Sequence, residues 1–116
     1  MPRKLALLTY DIRPDADPEE YAKDTREVDY PTFRERPSVL EYSNFVIVRN
    51  HIGKQTFTRF DLMFVTDFAD FERDVWGDPK VHAHTNRWLE KWSVNGPEAG
   101  HTESNYQVAF AEELYG

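Results

Sequence analysis

Apolar positions fall along the chain in two rhythms. Leu5 to Ile12 is a short apolar run ended by Arg13-Pro14-Asp15, and its length and turn signal predict a strand. Both alternating sets, Leu5-Leu7-Thr9 and Ala6-Leu8-Tyr10, are largely apolar, which places this strand inside a sheet covered on both faces. Asp17-Pro18-Glu19-Glu20 then offers a capping acid, a proline at the first helical position and acids in the first turn. Tyr21, Thr25, Val28 and Thr32 follow at helical spacing, with Ala22 and Asp29 on the flank. Pro31 is expected to bend or end that helix near Tyr30.

Ser38 to Asn50, through Val39, Tyr42 and Phe45-Val46-Ile47-Val48, reads as a long strand. The polar loop His51 to Gln55, with Gly53, joins it as a hairpin to a second strand from Thr56 to Thr66. Asp67-Phe68-Ala69-Asp70-Phe71 opens a short helix with Thr66 or Asp67 as its cap, and Trp76-Gly77-Asp78-Pro79 ends it. Pro79 restarts a helix to about Ser93, with Val81, Thr85, Trp88 and Trp92 as its apolar stripe and Leu89 beside it. A loop over Asn95–Gly100 leads to a last strand from Thr102 to Glu112, and the tail to Gly116 is expected to fray. The order strand, helix, strand, strand, helix, strand is the split βαβ arrangement of an α+β, ferredoxin-like βαββαβ domain with an antiparallel sheet.

The helices of such a fold cover one face of the sheet. Here the first strand is apolar on both faces, so the other face also needs a cover. A two-fold homodimer packing sheet against sheet, a dimeric α/β barrel, is the simplest closed solution. A monomer covered by the 93–101 loop and the tail is the alternative.

The 116 residues suit one domain over 1–116, and 15% aromatic residues supply a real core despite 30% charged ones. A net charge of −7 with no Lys/Arg-rich block argues against nucleic acid and anionic membrane surfaces as partners. With no cysteine there is no disulfide, thiolate nucleophile or Cys-ligated metal. The opening MPRKLALLTYDI is too short for a membrane span and lacks a cleavage site, so a soluble, cytoplasmic protein is expected.

Of the four histidines, His82 and His84 sit near the start of the second long helix. Two residues apart means about 200° apart on a helix, so they share no face and make no metal pair; no metal site is expected. His84, at the edge of the Val81-Thr85-Trp88 stripe, is either a proton-moving residue between helix and sheet or a partly exposed surface histidine. His82 belongs on the rim, His51 in solvent, and His101 at the start of the last strand is a second candidate. Tyr10 and Asp11 end the first strand, while Asn44 and Asp61 lie within central strands, where polar groups are costly unless bonded. Asp61, between Phe60 and Leu62, is a candidate acid or base if burial raises its pKa; the alternative is an ion pair with Arg59 or Arg49. Tyr30 either lines a pocket at the helix bend or packs. Trp88 is placed nearest a pocket for a flat ligand, whereas Trp92 is core. With no phosphate loop, nucleophile elbow or nucleotide fingerprint, no cofactor is expected.

Thr25-Arg26-Glu27-Val28-Asp29-Tyr30-Pro31 followed by Arg36-Pro37-Ser38-Val39 resembles the REDY-like, HapK-like family of small dimeric α/β-barrel proteins. The resemblance also covers Pro14–Pro18 and Arg59–Thr66 and thins after Asp70, so it takes in roughly the first 60% of the chain. It implies a place in prodiginine or related pyrrole and indole pigment (alkaloid) biosynthesis, within secondary metabolism. The activity implied is a cofactor-independent cyclase, lyase or dehydratase on an aromatic intermediate. Such barrels also host carrier proteins and cofactor-free monooxygenases. In the enzyme reading His84 moves the proton, Tyr10 or Asp61 orients or shares it, Trp88 stacks on the ring, and Tyr30, Asn44, His82 and His101 surround the substrate.

Overall fold

A computed structural model describes residues 2–94 and 104–115. Its strands are β1 (Lys4–Tyr10), β2 (Val39–Val46), β3 (Arg59–Val65) and β4 (Gln107–Glu112), and its helices are α1 (Pro18–Asp24), α2 (Tyr30–Arg34), α3 (Phe68–Phe71) and α4 (Pro79–Trp92). The strands form one antiparallel sheet in the order β2-β3-β1-β4, so each helical crossover skips a central strand. β1 pairs on both edges and is a central strand of the sheet.

Each helical run begins where an aspartate precedes a proline or an apolar pair. Asp17, Asp67 and Asp78 accept from the backbone N–H groups of Glu19, Ala69 and Lys80 at 2.9, 2.8 and 2.7 Å. Pro18 and Pro79 occupy the first turn, where no N–H is needed.

Pro31 neither ends nor breaks its helix. Between α1 and α2 the chain widens into a π turn over Thr25–Asp29, and the helix runs on to Arg34. A π turn takes in one extra residue, which re-forms the ladder around the missing N–H of Pro31 and rotates everything beyond it. The inward row is therefore Tyr21, Thr25, Asp29 and Phe33, all buried, while Val28 and Thr32 are only half-buried. The expected stripe holds before the π turn and fails after it. A second π turn, Glu72–Trp76, links α3 to the Gly77-Asp78-Pro79 break.

Two strands are shorter than the apolar pattern suggests. β2 ends at Val46, and after one further bond, Ile47 N–H to Thr58 C=O at 2.9 Å, the chain leaves the sheet as a long connection around Gly53. Val46 and Val48 are thus exposed and do not continue the core. β4 starts at Gln107, past Asn105 with its left-handed φ of 55°; the expected start at Thr102 lies outside the described residues.

The register sorts the sheet into two faces. Ala6, Leu8 and Tyr10 share the helix-covered face with their partners Met63 and Asp61 and with Val65, and all six are buried against Phe33, Phe71, Val75 and Val81 or the aromatic cluster beside them. Leu5 and Leu7 share the opposite face with Phe60, Leu62, Phe64, Phe45, Ala109 and Ala111. Among the described residues no helix covers that second face, and Phe45 stacks on Phe60 there at 4.9 Å. Among the described residues no helix is long and apolar enough to cross a membrane.

Candidate functional site

Tyr10, Asp61 and His84, drawn from β1, β3 and α4, line one cleft between the sheet and the helices, and Trp88 closes its rim. The cleft is a narrow slot with a cavity volume of about 40 Å³. Tyr21, Tyr106 and Phe33 add aromatic walls. Trp88 meets Tyr10 edge-on, with centroids 5.5 Å apart.

Asp29 organises the polar side. The π turn aims it inward, where one oxygen lies 2.6 Å from His84 Nε2 and the other accepts from Tyr42 Oη at 2.5 Å and Asn44 Nδ2 at 2.9 Å. A carboxylate can only accept, so the proton of a neutral His84 sits on Nε2 and Nδ1 carries the free lone pair. Nδ1 has no hydrogen-bond partner although the His84 side chain is only 6% exposed.

Asp61 is held differently. Burial, then the charge of Asp29, pushes its carboxyl well above the usual carboxylate range; hydrogen bonding with Tyr10 and Tyr42 and the charge of Arg59 pull the other way and do not prevail. The expected ion pair with Arg49 or Arg59 is not formed: Arg59 lies over the Tyr21 ring at 4.6 Å, and the oxygens of Asp61 face phenols. Tyr10 donates to Oδ1 at 2.7 Å, and Oδ2 is 3.1 Å from Tyr42 Oη. Tyr42 has one proton and spends it on Asp29, so protonated Asp61 donates to Tyr42. Trp88 Nε1–H donates to Tyr21 Oη at 3.1 Å, and Tyr21 lies 3.3 Å from Tyr10 Oη. The donors therefore run in one direction, Trp88 to Tyr21 to Tyr10 to Asp61 to Tyr42 to Asp29, and His84 reaches Asp29 from the other side. Burial, first of all, raises the phenols of Tyr10, Tyr21, Tyr42 and Tyr106, and these phenols stay protonated at neutral pH.

The raised Asp61 pKa sets a sign for stability. Its proton is bound more tightly in the folded chain than in the unfolded one, where a carboxyl titrates near ~4. The stability it contributes is complete below that value and is lost as pH rises towards the folded pKa. Asp61→Asn, shaped like the protonated acid, is expected to melt higher than wild type at pH 8, with the gap closing by pH 4. Circular-dichroism melts at the two pH values check this, and an equal gap at both would count against it.

The remaining sequence candidates fall elsewhere. Asn44 touches the cluster through Asp29, and its Oδ1 is left without a partner. Tyr30 does not line the slot; it packs edge-on against Tyr42, accepts from the Asn44 N–H at 3.0 Å and carries Arg34 over its ring at 3.7 Å. His82 is exposed, with Nε2 against the Trp76 carbonyl. His101 lies outside the described residues. Trp92 is buried, donating to Asp24 at 3.0 Å beside Arg87, a cluster that ties α1 to α4. Burial raises the Asp24 carboxyl, but the hydrogen bonds from Arg87 and Trp92 outweigh it and hold the group below the usual range.

Asp29, Tyr21, Tyr42 and Tyr106 are the site residues that sequence reasoning missed. The available signal was an acid four residues after Thr25 and four before Phe33 in a row that began at Tyr21. Among the described residues no group of three or more His, Asp or Glu side chains is arranged to hold a metal ion.

Sheet order and helix placement define a ferredoxin-like α+β protein with a buried His–Asp–phenol cluster in an aromatic slot. A family model described as REDY-like protein HapK matches residues 4–103, and the chain belongs to that family. The match runs well beyond Asp70, further than the motifs suggest. Among solved structures, HapK from Hahella chejuensis is similar at a TM-score of 0.69 and 14% identity, over 97% of this chain and 94% of that one. An ethyl tert-butyl ether d (ethd) family protein from Bacillus halodurans is similar at a TM-score of 0.63 and 16% identity, over 98% of this chain and 100% of that one. No curated protein matches.

Proposed function

We propose that this protein is a cofactor-independent enzyme of the cyclase, lyase or dehydratase type, acting on an aromatic, pyrrole- or indole-like intermediate of secondary metabolism. One observation carries the proposal: a buried histidine is fixed by a carboxylate through Nε2 and left with an unpartnered Nδ1 in an aromatic slot. Such a nitrogen is a general base facing a flat ligand. His84 takes the proton and gives it back, Asp29 supports the imidazolium that forms in between, and Tyr10 and Asp61 orient that pair through Tyr42. Trp88 stacks on the ring. Neighbouring pathways of the family supply the substrate class.

A carrier that shelters a labile intermediate is the second reading, favoured by how little open space the slot leaves. Incubating the protein with bipyrroles and indoles separates the two. A new product supports the enzyme. Ligand recovered unaltered, with quenched Trp fluorescence, supports the carrier, and oxygen consumption marks a monooxygenase instead.

We further propose that the uncovered sheet face pairs with a second copy. Its Leu5, Leu7, Phe60, Leu62 and Phe64 form a contiguous apolar surface of the kind that marks an interface.

A further inference from the structure

The slot has a one-sided chemistry. The carboxylate of Asp29 enters it beside the Asp61 carboxyl, which burial keeps towards its neutral form, and neither lysine nor arginine is among the described residues that line it. The guanidinium of Arg59 is engaged over the Tyr21 ring. The other walls are aromatic faces and edges: Tyr10, Tyr21, Tyr42, Tyr106, Trp88 and Phe33. Ring faces carry negative potential, so carboxyl and aromatic walls favour the same sign of guest.

The hydrogen-bond inventory points the same way. The protons of Tyr10, Tyr42 and Trp88 are committed within the chain that ends on Asp29. What is left over is an acceptor: the Nδ1 lone pair of His84, on a side chain 6% exposed. Asn44 Oδ1, on the flank of the same cluster, is a second buried acceptor without a donor. A buried acceptor with no partner is costly, and a guest that brings a donor relieves it.

We propose that the slot binds a compact organic cation bearing an N–H, an iminium or ammonium group on or beside a ring, with the N–H on His84 Nδ1 and the charge held by Asp29 and the aromatic walls. This rests on the reading of the slot as the substrate site and gives the charge state of what it takes. A pyrrole- or indole-derived intermediate binds here in its N-protonated or iminium form, and the neutral or anionic form is discriminated against.

Three probes of similar shape and different charge test it: benzylammonium, benzyl alcohol and benzoate, titrated at pH 7.5 and followed by amide NMR shifts and Trp fluorescence. Benzylammonium is expected to bind about tenfold or more tightly than benzyl alcohol, the range of a desolvated cation–π contact, and benzoate not to bind. Asp29→Asn, which removes the one carboxylate charge of the slot, should abolish most of that preference. Trp88→Leu, at a half-buried position, should reduce the preference with both carboxyl groups kept, so the inference does not hang on one variant folding. Benzyl alcohol or benzoate binding as tightly as the cation overturns it, as does a failure of all three to bind. Turnover of a neutral indole alongside no cation preference would sink the charge assignment alone and leave the enzyme reading standing.

Discussion

His84→Ala is expected to lower turnover of any substrate found by about 10²–10⁴-fold, the share that a positioned general base contributes, with little change in substrate affinity. The histidine is buried, so the fold must be checked first; its contacts are one carboxylate oxygen and the edge of Phe33 at 5.6 Å, and circular dichroism settles whether they are needed. Asp29→Asn tests the same machinery one step removed. Asp29 is a positioning residue, acting through His84. An amide there presents N–H to Nε2, which moves the imidazole proton to Nδ1 and hides the lone pair the reaction needs. A comparable tautomer error in a serine protease costs about 10⁴-fold, and a loss of at least about 10²-fold is expected here. Imidazole ¹⁵N shifts distinguish this from general loosening: wild-type His84 should show Nε2–H and the variant Nδ1–H. Full activity in His84→Ala removes the residue from the mechanism, and an unchanged tautomer in Asp29→Asn removes the positioning role.

How much of this could be read from the chain differs between its parts. The strand order, the aspartate caps and the restart at Pro79 follow from local chemistry, and each appears where local chemistry puts it. Tyr10, Asp61 and His84 also meet, because alternation on β1 and β3 and the stripe of α4 send all three to one side of the sheet. Asp29 was harder to see for a specific reason. Helical periodicity assumes a constant turn, and the π turn over Thr25–Asp29 adds a residue, so the inward row shifts from Val28 and Thr32 to Asp29 and Phe33. Pro31 was the visible trace of that shift. The chain ends of β2 failed for the opposite reason: Val46-Ile47-Val48 has strand-like composition, and composition does not say whether a partner strand remains in register. Tyr42 and Tyr106 read as ordinary core aromatics, and their roles depend on a buried acid reached across strands.

Leu7→Glu is expected to convert the protein from dimer to monomer. Leu7 lies mid-strand in β1, opposite Leu62 on one neighbour and Ala109 on the other, at the centre of the uncovered face. Pairing of two such faces should bury roughly 2,000 Å² or more in total, the size range of obligate homodimers. In a two-fold assembly one substitution puts two carboxylates into the apolar contact, each stripped of water with no cation opposite, at a cost of several kcal/mol per ion. The helix-covered core holds Ala6, Leu8 and Tyr10 and does not include Leu7, so the monomer should keep its secondary structure. Val46→Glu is the matched control. Val46 is 50% exposed at the end of β2 and pairs with Arg59, on the helix-covered side of the register, so a charge there should leave the dimer intact. Sedimentation at micromolar concentration reads both. Wild type and Val46→Glu should run at twice the 13.7 kDa chain mass, and Leu7→Glu at that mass. A wild-type monomer would mean that the apolar face has another cover, and the proposed barrel would fall with it.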